Sequence, residues 1–226
     1  MTIEISNVSK TFVTLGRRHT VYKNFNLTIE RGVNWGVIGP NGSGKTTLLR
    51  LLAGALEPDT GYIKRNMSVS WPMGYTGGLS TTLTGNQNCR FIARLYGKDP
   101  TEVTRYAAEF SQLEHFMEWP LKTYSSGMRS RLAFALSMAI DFDCMIVDEG
   151  TSAGDARFRA RAEEALAERR RRSSLVIASH NLKEVMRLCD RLVVLGGPHP
   201  EITDDVERRV KQYATELSGS ALGVDL

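Results

Sequence analysis

Cysteine is scarce in this chain: its 226 residues hold three, Cys89, Cys144 and Cys189, an odd set without the paired spacing of a metal site. That excludes a disulfide framework and reads as free thiols in a reducing compartment. Long apolar runs are missing too. The longest, residues 132–140, is far too short to cross a bilayer, and the opening MTIEISNVSK lacks the basic-then-apolar order of a secretion signal. No internal repeat and no low-complexity linker is found. With 42% hydrophobic and 24% charged residues, the composition is that of a folded domain with ample core, not of a disordered tail. A soluble cytosolic chain is the expectation.

Strong charge bias is absent as well, the net charge being +4. The main basic run, residues 169–172, ends the helical pattern ARFRARAEEALAERRRR, where cations complement the helix dipole and Glu168 stands four residues before Arg172. We read it as a solvated helix end with no nucleic-acid partner; nucleic acid or anionic lipid head groups stand as the alternative.

What is present is a rhythm of short apolar segments. Residues 33–38, 144–147, 175–178 and 192–195 read as buried strands alternating with longer helical patterns, which argues for a mainly parallel sheet covered by helices. MTIEISNVS and TVYKNFNLTIE alternate apolar and polar residues, as half-exposed strands do, so the stretch 1–65 looks β-rich. From 84 to 139 the signals are helical. Between these regions, WPMGYTGGLSTTLT (71–84) carries three glycines and a run of hydroxyls, which predicts a surface loop.

The strongest motif is GPNGSGKTT, in which Gly39, Gly44, Lys45 and Thr46 fit the phosphate-binding pattern G-x-x-x-x-G-K-[ST]. A strand-like VNWGVI precedes it and TTLLRLLAGAL follows, so the loop 39–44 (Gly39, Pro40, Asn41, Gly42, Ser43, Gly44) can turn backbone N–H groups toward a phosphate at a helix N-terminus. Lys45 is then expected to reach the β- and γ-phosphates of a nucleotide, with Thr47 beside it and the Thr46 hydroxyl on Mg²⁺. The strand CMIVDEG ends in two acids, which are costly to bury without a partner. A magnesium nucleotide supplies one: Asp148 on the metal, Glu149 accepting the proton of the attacking water. A third strand ends in LVIASHN, and in a parallel sheet the strand ends carrying Gly39, Asp148, Glu149 and His180 share the carboxyl edge.

TYSSGMRSRLAF (123–134) places hydroxyls, a glycine and two arginines before an apolar helix, which by itself is a helix cap. Taken with the other motifs it carries a resemblance that covers nearly the whole chain. GPNGSGKTT, YSSGMRSRL ahead of MIVDEG, then SAGD and ASHN, resemble the nucleotide-binding subunit of ATP-binding cassette transporters. The resemblance implies an α/β P-loop NTPase with a mainly parallel core sheet, an N-terminal antiparallel β part and a helical subdomain, about 84–139, inserted in a single domain spanning 1–226. It makes Tyr124, Ser125, Ser126, Gly127 and Met128 the signature loop, with Ser125 and the Gly127 N–H contacting ATP held by a second copy in a head-to-tail dimer. Ser152 and Asp155 fall in the family's D-loop, His180 joins Glu149 and Lys45 as a catalytic residue, and Phe12 matches the adenine-stacking aromatic, with simple packing as the alternative and Tyr22 and His19 as substitutes. Met73 stands where most members have a glutamine that meets Mg²⁺, and a thioether cannot replace an amide oxygen there.

The forms TYSSGMRSRLAFALSMA, VDEGTSAGDARF and VSWPMGYTGGLSTTLTG are most similar to ATPases of bacterial capsular polysaccharide exporters, and less so to those for teichoic acid and O-antigen. Export driven by ATP hydrolysis at the cytoplasmic face of the inner membrane is therefore expected. Partners implied are an integral membrane permease, contacted through Tyr75 and Leu79, and export components in the periplasm and outer membrane. The extra C-terminal carbohydrate-binding domain of some O-antigen ATPases is not expected after the helical segment 204–217. Two other readings stand beside the export ATPase: a soluble, non-transport cassette ATPase, which would call for a long coiled-coil insertion or a second cassette, and a nucleotide-gated scaffold without turnover, which would be expected to have lost Glu149.

Overall fold

A computed structural model of the chain describes residues 1–73, 76, 78–148, 155–197 and 199–221, without the side chains of 218–221. The elements begin with β1 (Thr2–Thr14), β2 (Arg17–Glu30), β3 (Trp35–Ile38), α1 (Lys45–Leu52) and β4 (Thr60–Arg65). Then come α2 (Gly85–Leu95), α3 (Pro100–Ser111), two short 3₁₀ turns at Glu114–Phe116 and Leu121–Thr123, α4 (Ser126–Ala139), β5 (Cys144–Val147) and α5 (Ala156–Arg169). β6 (Ser174–Ala178), α6 (Leu182–Leu188), β7 (Arg191–Val194), β8 (Glu201–Thr203) and α7 (Val206–Ala221) follow. These form two compact units, Met1–Asn66 with Ser174–Leu226, and Met67–Ser173.

In the first unit, β1 pairs antiparallel with β2 on one side and β4 on the other. Ile3, Ile5, Val8, Phe25, Leu27 and Ile29 are buried, as the alternating pattern demands of a sheet with one wet face. A second sheet sets β3 between β6 and β7, both parallel to it, with β8 antiparallel on β7. Trp35–Ile38 is buried at every position, which explains why it reads as an unbroken apolar run. Strand β4 falls inside the β-rich stretch 1–65 without a strand pattern of its own, since TGYIKR has one half-buried apolar side chain, Ile63, and β8, three residues long, carries no signal in the sequence.

The second unit is mostly helical. Thr84 accepts from the Gln87 N–H while the Gln87 side chain accepts from the Thr84 N–H, a reciprocal cap that starts α2. Asp99 caps α3, which has Pro100 at its start. Phe110, Phe134 and Phe158, from α3, α4 and α5, meet with ring centroids 5.7–5.9 Å apart.

Two expectations need correcting in this unit. The stretch 71–84 is not a surface loop throughout. The Met73 N–H donates to the Ile146 carbonyl at 2.8 Å, Met73 bridges Val147 in parallel, and Pro72 and Met73 are buried. Backbone pairing beside β5 is indifferent to the glycines that follow it. The run 169–172 is not wholly a solvated end either. Arg172 is exposed and pairs with Glu168 as read, but Arg169 is buried, pairs with Asp141 at 2.6 Å and donates to the Met138 and Ile140 carbonyls. It closes the open C-terminal carbonyls of α4, and the guanidinium holds the Asp141 carboxyl below its ordinary range.

Candidate functional site

β3 delivers the chain to Gly39, and α1 begins at Lys45. Between them Gly44 holds φ +104°, a left-handed conformation that L side chains rarely adopt, and a Cβ there would lie 2.4 Å from Val21 Cγ1. At Gly39 a Cβ would lie 2.6 Å from the Leu195 carbonyl oxygen. Both glycines are therefore imposed by the fold around the loop. α1 has no side-chain cap and no acid in its first turn, so its free N–H groups meet no competing anion of its own.

Lys45 is buried and donates from Nζ to the Gly39 carbonyl at 2.8 Å and the Pro40 carbonyl at 3.2 Å, which holds the ammonium inside the curl of the loop. Ser43 Oγ is buried and has no hydrogen-bond partner among the described residues. An orphaned hydroxyl and uncapped helix N–H groups stand around a loop that also holds a buried ammonium, and a polyphosphate fits that set of donors. Pro40, Asn41, Gly42 and Thr46 are exposed, with Thr47 half-buried, so the mouth of the loop is open.

One supporting residue was misread from the sequence. Tyr22, named above as a substitute for the stacking aromatic, is 2% exposed and cannot offer a face to a ligand. Its hydroxyl donates to the Gly44 carbonyl at 2.9 Å and its ring stacks on Phe25 at 5.2 Å. Burial pushes its phenol pKa up, so the proton that makes this bond stays in place. No pattern within the β2 sequence announces such a strut, because its partner lies beyond β3 in the chain. Phe12, by contrast, is 39% exposed on β1, with exposed His19 across the ladder and Lys10 Nζ 5.8 Å from its ring centroid.

Val37 and Ala178 are partners in the parallel ladder of β3 and β6, so the glycine loop and His180 leave the same edge of one sheet. His180 is exposed, on a turn braced by the Ser179 hydroxyl, which donates to Glu184 at 2.9 Å and accepts from the Asn181 N–H at 3.0 Å.

In the second unit Ser125 is the N-cap of α4, its Oγ accepting from the Met128 N–H at 3.2 Å. Ser125 and Ser126 are exposed, Gly127 and Met128 half-buried. Tyr124 behind them is buried, donates to the Phe116 carbonyl at 2.6 Å, and has its phenol pushed up to about 12 by burial. Arg129 donates to the Tyr124 carbonyl at 2.6 Å. The cap is thus real, and the serines remain open to solvent. β5 is buried at all four positions and ends at half-buried Asp148. Asp155 is exposed and caps α5 through the Phe158 N–H at 2.8 Å. Glu149, Ser152 and Tyr75 lie outside the described residues, while Leu79 is half-buried beside an apolar groove.

Comparison with known proteins agrees with this geometry. The ABC transporter family profile matches residues 22–152. The capsule polysaccharide export ATP-binding protein CtrD of Neisseria meningitidis is 40% identical over 211 residues, 93% of this chain and 98% of that protein. The polysialic acid transport ATP-binding protein KpsT of Escherichia coli is 45% identical over 199 residues, 87% of this chain and 89% of that one. Among solved structures, a dimeric post-hydrolysis ATP-binding cassette bound to ADP and Pi superposes with a TM-score of 0.74 at 20% identity, covering 88% of this chain and 97% of that chain, a likeness of fold. The matched span holds the glycine loop, the start of α4 and the acids after β5, and the chain belongs to the ABC transporter family.

Proposed function

We propose that this chain is the ATP-hydrolysing subunit of an exporter that carries a capsular polysaccharide, or a related cell-surface glycan, across the cytoplasmic membrane. The observation that carries the reading is the identity of 40–45% over nearly whole chains to relatives named for capsule polysaccharide export and polysialic acid transport. In this reading the loop 39–44 and Lys45 bind the phosphates of ATP, with Phe12 against the adenine. Mg²⁺, for which the Thr46 hydroxyl and the Asp148 carboxylate are suited oxygen donors, would supply charge neutralisation on the phosphates. Glu149 accepts the proton of the attacking water, and His180 donates to the terminal phosphate. Ser125 and the Gly127 N–H meet ATP held by a second copy, with Ser152 and Asp155 at the seam between copies. Met73, buried and engaged through its backbone, has no part in the chemistry.

A membrane permease completes the assembly. The support for its docking on the second unit is an apolar groove of about 190 Å³ lined by Trp71, Leu79, Phe91, Ile92, Leu95 and Tyr96, whose Phe91 and Leu95 are 57% and 64% exposed. A helix of the permease fits such a groove, with Tyr75 beside Leu79. The chain then works at the cytoplasmic face of the membrane, and export components in the periplasm and outer membrane take the polymer onward. In a strain whose single copy is Lys45→Ala, surface polysaccharide should vanish and polymer accumulate inside, while ATP binding by the purified variant weakens by about 1.5–3 kcal/mol. Unchanged surface polymer would overturn the proposal.

A further inference from the structure

The ribbon of β1 and β2 ends in a tip that the fold does not use. β4 covers β1 as far as Ser9, which pairs with Thr60. From Lys10 onward β1 has β2 as its strand partner among the described residues, through Val13 with Arg18 and Thr14 with Arg17. The two-stranded ribbon from Lys10 to Thr14 thus projects by roughly 17 Å.

Its turn, Leu15 and Gly16, has two consecutive positive φ angles, +50° and +75°. A turn of that hand favours Asn-Gly, since Asn tolerates the left-handed conformation and Leu does not. Leu15 is nevertheless there, 98% exposed, with Val13 63% exposed beside it. Leucine suits neither the backbone nor the solvent at this point. Around it the charge has one sign: Lys10, Arg17, Arg18 and Lys23 lie between Ile5 and Ile29 with no acidic residue in that span. Lys10 is paired with Asp59, whereas Arg17 and Arg18 are exposed and make no ion pair among the described residues.

Two apolar side chains are far short of the roughly 800 Å² that each partner gives to a specific protein interface. They are enough to enter the head-group layer of a bilayer, where flanking cations are drawn to anionic lipid. We propose that this tip is a membrane-surface contact, with Leu15 and Val13 entering the head-group region of an anionic leaflet and Arg17 and Arg18 pairing with lipid phosphates. The contact is reversible and screened by salt. It lies outside the residues assigned to nucleotide, so it stands or falls separately from the transport function.

Flotation of the purified chain with vesicles tests it. Vesicles mixed two to one from phosphatidylcholine and phosphatidylglycerol should carry the chain upward at low salt; pure phosphatidylcholine vesicles, or salt of about 0.5 M, should not. Arg17→Gln with Arg18→Gln should weaken partition about 25-fold, roughly five-fold for each arginine. Leu15→Asn should weaken it about 5- to 10-fold while leaving the thermal midpoint unchanged or higher, because Asn suits the turn. Failure of the parent chain to float, equal partition on neutral vesicles, or equal partition of Leu15→Asn overturns the proposal. So does flotation that needs vesicles containing the permease and is lost in Leu15→Asn there, which would make the tip a protein contact.

Discussion

The turns that open α1 and α4 both carry glycine, and they differ in who needs it. At the loop before α1, Gly44 has φ +104° and no room for a Cβ, and Gly39 abuts the Leu195 carbonyl. The chain itself demands both. At the start of α4, Gly127 sits in a helical turn with no positive φ, and a Cβ there would meet nothing closer than Ser125 Oγ at 3.9 Å. The fold would accept alanine, and gain from it, since glycine inside a helix costs about 1 kcal/mol relative to alanine. The first loop is shaped from within. The second, on our reading, is kept bare for something outside the chain, the nucleotide of a second copy.

The largest expected effect isolates that second loop. Glu149→Gln should keep ATP binding but slow hydrolysis about 10²- to 10⁴-fold, and light scattering should then find a dimer with ATP and a monomer with ADP. Adding Ser125→Arg should abolish the dimer; a mass that ignores ATP would break the contrast. Next, Gly44→Ala should cost about 2–3 kcal/mol of stability in urea titration, through backbone strain and the clash with Val21. No loss would mean that the loop is less tightly prescribed than its geometry implies. Tyr22→Phe removes one of two donors to the Gly44 carbonyl, which keeps the Leu48 N–H at 2.9 Å, and should cost about 1 kcal/mol, with a drop in ATP affinity. The smallest effect is the most telling: Gly127→Ala should raise stability by about 0.5–1 kcal/mol and still impair the ATP-dependent dimer. If activity survives as well, the bare glycine serves nothing outside the chain.

Much of this was legible beforehand because it is local. β5 lies where a four-residue apolar run ends at an acid, and α2, α3 and α4 follow their caps and periodicity. The family was legible from the spacing of GPNGSGKTT, YSSGM and VDEG, and the match over residues 22–152 agrees. What escaped is what depends on a distant partner. Arg169 reads as one of four arginines at a helix end, yet it is 6% exposed because Asp141 and the carbonyls after α4 converge on it. Met73 reads as loop because its strand-like pairing is supplied by Ile146 and Val147.

The sequence by itself determined the family, because the pattern we propose for phosphate binding needs particular residue types in a particular order: glycines to turn the chain, Lys45 to carry charge, and Thr46 to offer a hydroxyl at a helix start. Only the tertiary structure decided which side chains hold those groups in place and which are left over. A buried tyrosine on a neighbouring strand and an exposed leucine at the end of a ribbon look alike in a list of apolar residues. They part company once long-range contacts bring the Tyr22 hydroxyl to the Gly44 carbonyl and leave Leu15 facing solvent.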